Sequence, residues 1–372
     1  MTQAIQAQNT AARLYVAFEL GASQWKLAVS AGGCQVREVT LEAGALDALE
    51  RELVTARERF DLAADAPVVS CYEAGRDGFW LHRWLTGRGA ANLVVDSSSI
   101  EVNRRARRAK TDRLDARKLL GMLVRHHRGE KVWSVVRVPT VTDEDQRRQH
   151  RELHRLKGER TGHSNRIRGL LCLHGIRLVP GAQFRTDLAA VRLYDGAPVP
   201  AELKAELLRE YARLEQVRQQ LRELEAQRQA RVAAQPCGGK VTALMQVKGI
   251  GIHSAWVLGH ELFGWRAFRN RREVAGYVGL TPAPYHSGAS HHDQGISKAG
   301  NPRVRTLLIE LAWGWLRWQP GSALSRWYQE KFAGGGGRTR RVGIVALARR
   351  LLVALWHYAD HGVVPEGALL KA

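Results

Sequence analysis

The sequence predicts an α/β domain followed by an all-α remainder. Three observations carry that expectation. Short alternating or β-branched runs separated by helical stretches fill the chain as far as Ser97. Apolar residues then recur in 4-3 steps from Leu203 to Leu224. The remainder keeps helical spacing almost to the end. At 372 residues and 45% hydrophobic, the chain can bury two or three modest cores. Its composition divides it at residues 1–140, 141–235 and 236–372.

The first three runs, RLYVAFEL, WKLAVSAG and QVREVTL, follow one another closely and read as a β-meander. A helix near Ala45 to Phe60, the strand PVVSCYEA, a helix from Asp77 to Gly87 and the strand NLVVDSS come next. The order β-β-β-α-β-α-β, followed by the helix that carries Asp115, matches a ribonuclease-H-like sheet. From Asp143 to Leu173 the chain reads as a polar helix, and VPGAQFRTDLAAVRLYDGAPVP as a connecting loop. The stripe Leu203, Leu207, Leu214, Val217, Leu221 and Leu224 is broken only by Glu210. Its few heptads suit a helical hairpin within the chain or a zipper between two chains equally well. Beyond the linker AAQPCGGK the sequence reads as helices with a turn-rich insert from Thr281 to Pro302, and AGGGGRTRR as a flexible joint before a last helix. Those glycines do not form a phosphate loop, because no strand precedes them and no Lys-Ser or Lys-Thr follows.

A formal net charge of +21 makes a polyanion the expected partner, nucleic acid first. No run approaches the roughly 18 apolar residues of a membrane span, and the first residues lack signal-peptide order. A cytoplasmic, nucleoid-associated protein with no membrane partner is therefore expected. The spacing of Cys34, Cys71, Cys172 and Cys237 fits neither a zinc site nor a disulfide scaffold, which points to buried thiols.

Two acids end predicted strands: Glu19 in VAFELG and Glu73 in SCYEAG. Carboxylates at the C-terminal ends of neighbouring strands can share a cleft. In AKTDRLDARKLL, Asp112 and Asp115 lie three apart, on one face of a helix, amid Arg104, Arg105, Arg107, Arg108 and Lys110. Hard oxygen ligands of this kind suit Mg²⁺, and two such ions could clamp the attacking and leaving oxygens of a phosphodiester. The basic residues would hold the phosphates. An ordinary surface helix with alternating charges is the alternative for the Asp pair, and a surface charge for Glu19 or Glu73 taken singly; four acids placed in this order favour a shared site over these.

Two further segments carry chemistry. LMQVKGIGIHSAWVLGHEL reads as helix, turn, helix, in which Lys248, Gly249 and Gly251 would offer a phosphate site, a plain αα-turn in a bundle being the alternative. In GLTPAPYHSGASHHDQGISKAGNPRVRTLL, Tyr285, Ser287 and Ser290 lie among histidines, Lys298 and Arg303. A hydroxyl there could be a nucleophile, or the loop could merely donate hydrogen bonds to phosphate. The histidines have no HExxH pattern, so zinc is not expected.

These five segments, in this order, resemble the DEDD transposases of the insertion-sequence-one-ten group, relatives of the pilin-gene invertase. The likeness runs from about residue 13 to 360. It implies a resolvase-like, ribonuclease-H-fold N-terminal domain, a coiled-coil middle, and a C-terminal transposase domain with a helix-hairpin-helix and an essential serine. It further implies a Mg²⁺-binding tetrad of Glu19, Glu73, Asp112 and Asp115, with Ser287 as the serine. The implied partners are DNA, at the element's ends and its target site, and a structured noncoding bridge RNA as guide. A homo-oligomer, dimer or tetramer, would bring one chain's acids to another's serine. The family's first acid is usually Asp, and Glu19 departs from that. A junction nuclease using the tetrad and water, or a nonenzymatic nucleic-acid-binding protein, are the competing readings of the same residues.

Overall fold

Alternation in LYVAFEL decides the first element. In β1 (Leu14–Leu20), Leu14, Val16 and Phe18 are buried with Trp25, Leu27, Leu81 and Leu85 on one face of a sheet, whereas Tyr15 and Ala17 are buried on the other. Strands β2 (Gln24–Ser30) and β3 (Arg37–Glu42) complete an antiparallel meander. After helix α1 (Leu46–Arg59), strand β4 (Val68–Glu73) returns parallel to β1, and after α2 (Trp80–Gly87), β5 (Ala91–Val95) pairs parallel to β4. The sheet order is β3-β2-β1-β4-β5. The second face is closed by α3 (Asp112–His127), whose Ala116, Leu119, Leu120 and Leu123 are buried over Tyr15, Ala17, Val69 and Cys71. This computed structural model describes residues 12–100, 112–234, 239–287 and 290–371, which fall into two compact units, one ending at Val138 and the other beginning at Pro139.

In the second unit, α4 (Val141–Gln146) opens with a capping box in which Thr140 and Asp143 satisfy each other's backbone N–H groups. The long helices α5 (Arg148–Cys172) and α7 (Ala201–Ala233) form an antiparallel hairpin, with Gln149 bonded near Leu224 and Arg166 near Glu206. Leu207, Leu214, Val217 and Leu221 of the stripe are buried within the chain. Glu210, the break in the stripe, is buried as well. Burial raises its pKa, but hydrogen bonds from His163 at 2.6 Å and Arg213 at 2.7 Å outweigh this and hold it below the usual carboxylate range.

The C-terminal core is built by α8 (Lys240–Gln246), α9 (Ile252–Leu258), α10 (Arg271–Tyr277), α11 (Pro302–Trp318), α12 (Ala323–Tyr328) and α13 (Gly337–His361). Helix α11 starts with Pro302 in its first turn, capped by the Asn301 side chain, which accepts from the N–H groups of Arg303 and Val304. Helix α13 ends at Gly362 in the left-handed region, with φ 70°. By length and composition α13 could cross a membrane, but half of its apolar window is buried, with Leu347, Leu351, Leu352 and Leu355 in the core.

Four expectations need correction. The connecting loop contains a seven-residue helix, α6 (Phe184–Ala190), held by Phe184 stacked near Tyr211. The turn-rich insert is a hairpin of β6 (Pro282–Ser287) and β7 (Ser290–Ile296), because backbone pairing needs no apolar alternation in so polar a segment. The glycine joint is shorter than expected: Gly334–Gly336 link the preceding turn to α13, which already begins at Gly337, and Arg341 Nε donates back to Gly337 O at 3.2 Å. Of the thiols, only Cys71 is buried; Cys34 and Cys172 are exposed on a turn and a helix end, and Cys237 lies outside the described residues.

Candidate active site

The parallel pairing of β1 with β4 runs up to Phe18 opposite Tyr72, so Glu19 and Glu73 are the next residues on neighbouring strands. Alternation assigns Glu19 to the face of Tyr15 and Ala17, and Glu73 to that of Val69 and Cys71. Both faces are the one that α3 covers. Helix α3 runs antiparallel to β1: at its far end the His127 ring lies 5.5 Å from Tyr15 and 3.0 Å from the Arg13 guanidinium, and midway Leu119 O meets Cys71 Sγ at 4.0 Å. The first turn of α3 is therefore at the sheet edge where β1 and β4 end. That turn holds Asp112 and Asp115, one helical step apart.

Glu73 is exposed, and Glu19 and Asp115 are half-buried. Lys26 of β2 lies opposite Glu19 in register, so a cation adjoins the first acid. The side chain of Asp112 lies outside the described residues, as do Arg104, Arg105, Arg107, Arg108 and Lys110. Among the described residues no three His, Cys, Asp or Glu side chains form a ready metal cluster. The described acids, Glu19, Glu73 and Asp115, share one edge without forming a closed cage. Their oxygen-only donor set fits a hard cation that keeps several waters.

In the second unit, the Gly-Ile-Gly turn joins α8 and α9 as expected, with Gly251 as the N-cap. Gly249 has φ 94°, and a Cβ there would lie 2.9 Å from the Trp318 side chain, so its glycine serves a close approach to the core. Lys248 is exposed, but its backbone N–H and carbonyl are spent on Leu369 and Gln319. These contacts make the turn a packing joint whose outward face is the Lys248 side chain, Gly249 and the N-terminus of a seven-residue helix.

The hairpin places Ser287 and Ser290 as the last pair of its ladder, after Tyr285 opposite His292 and His286 opposite His291. The three candidate residues thus occupy positions within three of one ladder end. The hairpin's root is pinned. Gly279 and Gly300, both with positive φ, bring the backbone so close that a Cβ at either would meet a carbonyl oxygen at 2.0 Å. Lys298, also at positive φ, gives its N–H to Gly279 O. Arg303 is exposed on the first turn of α11.

A carboxylate that sequence reasoning passed over sits behind that root. Glu261 is fully buried in a π-helical turn at Gly259–Phe263. It lies 2.7 Å from His150 Nε2 and accepts two hydrogen bonds from Arg151, at 2.8 and 3.0 Å, and one from Asn301. Burial opposes its charge, yet these partners lower its pKa to about 2. His150 and Arg151 are some 110 residues away in sequence and Asn301 is 40, so no local pattern announces it. Also missed was a stripe of arginine along α13, whose only signal was helical spacing from Arg338 onward.

A family profile described as "Transposase IS116/IS110/IS902 family" matches residues 241–328. A Sinorhizobium fredii protein named as a transposase, y4rJ, is 43% identical over 380 residues, covering 96% of this chain and 94% of its own. A protein of Pseudomonas aeruginosa named as a family 20 transposase is 34% identical over 59% of this chain and 65% of its own length. The transposase for insertion sequence element IS1328 of Yersinia enterocolitica is 28% identical over 58% of this chain and 63% of its own.

Proposed function

We propose a mechanism for a chain that belongs to the IS116/IS110/IS902 family of insertion-sequence transposases: DNA strands are cut and rejoined through Ser287, assisted by the acids Glu19, Glu73, Asp112 and Asp115. The observation that carries this reading is the common sheet edge to which β1, β4 and the first turn of α3 bring all four acids. The sheet order, a meander followed by two parallel strands, is the connectivity of a ribonuclease-H-like domain and supports assigning that fold here.

The four carboxylates would hold Mg²⁺, which when bound would polarise a phosphoryl oxygen and stabilise charge on the oxygen that leaves. Lys26 beside Glu19 limits the net negative charge of an edge that must approach phosphate. Ser287 Oγ forms a new bond to phosphorus as the bond to the DNA leaving oxygen breaks. The serine proton is lost to a base, and the leaving oxygen takes one up. Rejoining reverses these changes with a different DNA end, so the energy of the phosphodiester is conserved in the protein–DNA link. Assembly into a dimer or tetramer would bring one chain's acids to another's serine, and a structured noncoding RNA would choose the DNA partners.

The test traps the reaction on a nicked DNA substrate and maps the adduct by mass spectrometry. The expected adduct is on Ser287, and it is lost in both Ser287→Ala and Asp115→Ala. An adduct on Tyr285 or Ser290, or cleavage that survives in Ser287→Ala without any adduct, would overturn the serine assignment and favour a nuclease that uses water.

A further inference from the structure

Along α13, two opposite stripes can be followed for the whole helix. One is core: Ile344, Leu347, Leu351, Leu352 and Leu355 are at most 1% exposed. The other lines a groove of about 1390 Å³ and carries Arg338, Arg341, Arg349 and Arg350, with Val342 and Val345 between them and Val353 one turn on. Arg271 and Arg272 of α10 face them from the other wall, and the hairpin root, at Pro282 and Ile296, closes one side. Among the described residues that line the groove, none is acidic. The Arg350 guanidinium lies 4.0 Å above the ring of Trp327, which adds an aromatic surface to the apolar floor.

A helix in a folded protein has no internal need for four arginines on an apolar stripe. An apolar ligand would leave them unpaired, and an acidic peptide would not use a floor of valine and tryptophan of this extent. An unpaired nucleic-acid strand uses both, because its phosphates need cations along a track and its exposed bases need apolar or aromatic faces. We infer that this groove binds a single-stranded stretch of nucleic acid, with phosphates on the arginines of α10 and α13 and bases on the floor. A strand so held would pass the root of the hairpin, whose outer end is roughly 17 Å away at a strand's rise per residue. The inference does not depend on which residue attacks phosphorus.

The test measures binding of the full chain by fluorescence anisotropy. The probes are a labelled single strand of about 16 nucleotides and the matching duplex, each titrated over a series of salt concentrations. Three chains are compared with wild type: Arg341→Gln/Arg349→Gln/Arg350→Gln in the groove, the same three positions as Lys, and Arg51→Gln/Arg59→Gln/Lys131→Gln, three exposed cations on the other unit. The groove Gln variant is expected to lose about tenfold or more in affinity for the single strand. Its log–log salt slope should fall by about 2, since each lost phosphate contact removes about 0.7. The Lys variant should keep the slope, and the distant variant should change affinity less than about threefold at equal loss of charge. Equal losses in the two Gln variants would show that net charge alone drives binding and overturn the proposal. So would loss of the slope in a Lys variant that melts like wild type. Tighter binding of the duplex, with equal sensitivity to the groove, would overturn the unpaired-strand assignment. A change in oligomeric state with no change in binding would assign the groove to a second copy instead.

Discussion

Two groups of carboxylates in this molecule meet opposite fates. Glu261 is fully buried and has donors on every side: His150, Arg151 and Asn301. At the edge of the N-terminal sheet, Glu73 and Asp115 have no hydrogen-bond or ion-pair partner among the described residues, although each is held by well-packed elements. A buried carboxylate without partners would cost several kcal/mol, so Glu261 exists only because distant parts of the chain converge on it. The edge acids stay where water can satisfy them until something else arrives. The difference separates a charge that ties a fold together from charges left open to solvent.

That contrast can be broken by experiment. The largest expected effect is on the edge: Glu73→Ala or Asp115→Ala should lower DNA cleavage by more than about 100-fold, the upper end of what losing even an outer-shell partner costs a metal site. Melting temperature should stay near wild type, and a large drop would recast these acids as structural. Glu261→Ala should do the reverse, costing about 3–5 kcal/mol of stability by leaving Arg151 and His150 without their partner. Chemical denaturation measures it, and a loss under about 1 kcal/mol would mean the network is not the keystone described.

Acid should find the interior first. Burial lowers the pKa of His260 and of His253 to about 4, below the ordinary 6.5, so the folded state resists protonation that the unfolded chain accepts. Stability is therefore lost as pH falls from 6.5 towards 4, by about 1–2 kcal/mol for His260 at pH 5. The depressed Glu261 adds a second loss, from its ordinary 4.5 down to about 2. Thermal scans across this range should show both, with the first step reduced in His260→Gln. The smallest effect expected is that of Glu19→Asp, which should keep cleavage within about tenfold of wild type, whereas a ligand misplaced by 1 Å costs about 100-fold. A complete loss would mean that the edge is built around the longer side chain.

The same contrast explains what could be read from the sequence. Strand alternation around Phe18 and Tyr72, and the spacing of Asp112 and Asp115, are local signals, so the strands of the sheet and the strand-end positions of Glu19 and Glu73 were legible. Glu261 was not, because His150 and Arg151 lie on a helix whose sequence says only that it is polar. The hairpin from Pro282 to Ile296 hid behind its glycines and histidines, and α6 behind its length of seven residues. The arginines of α13 were legible as a helical stripe, but only once the opposite stripe was known to be core.

The glycine clasp at the hairpin root has a mechanical consequence. With Gly279 packed against Ala299 O, Gly300 against Tyr277 O, and Asn301 bonded to Tyr277 O and Glu261, the ribbon is a cantilever clamped at its root. A clamped beam deflects most at its tip, so for a given flexing of the ribbon the positions of Ser287 and Ser290 would travel furthest. Lengthening such a ribbon by two residues per strand would carry its tip about 7 Å outward without disturbing the anchorage. Reach and attachment are thus separate dimensions of the part, and either can be altered without altering the other.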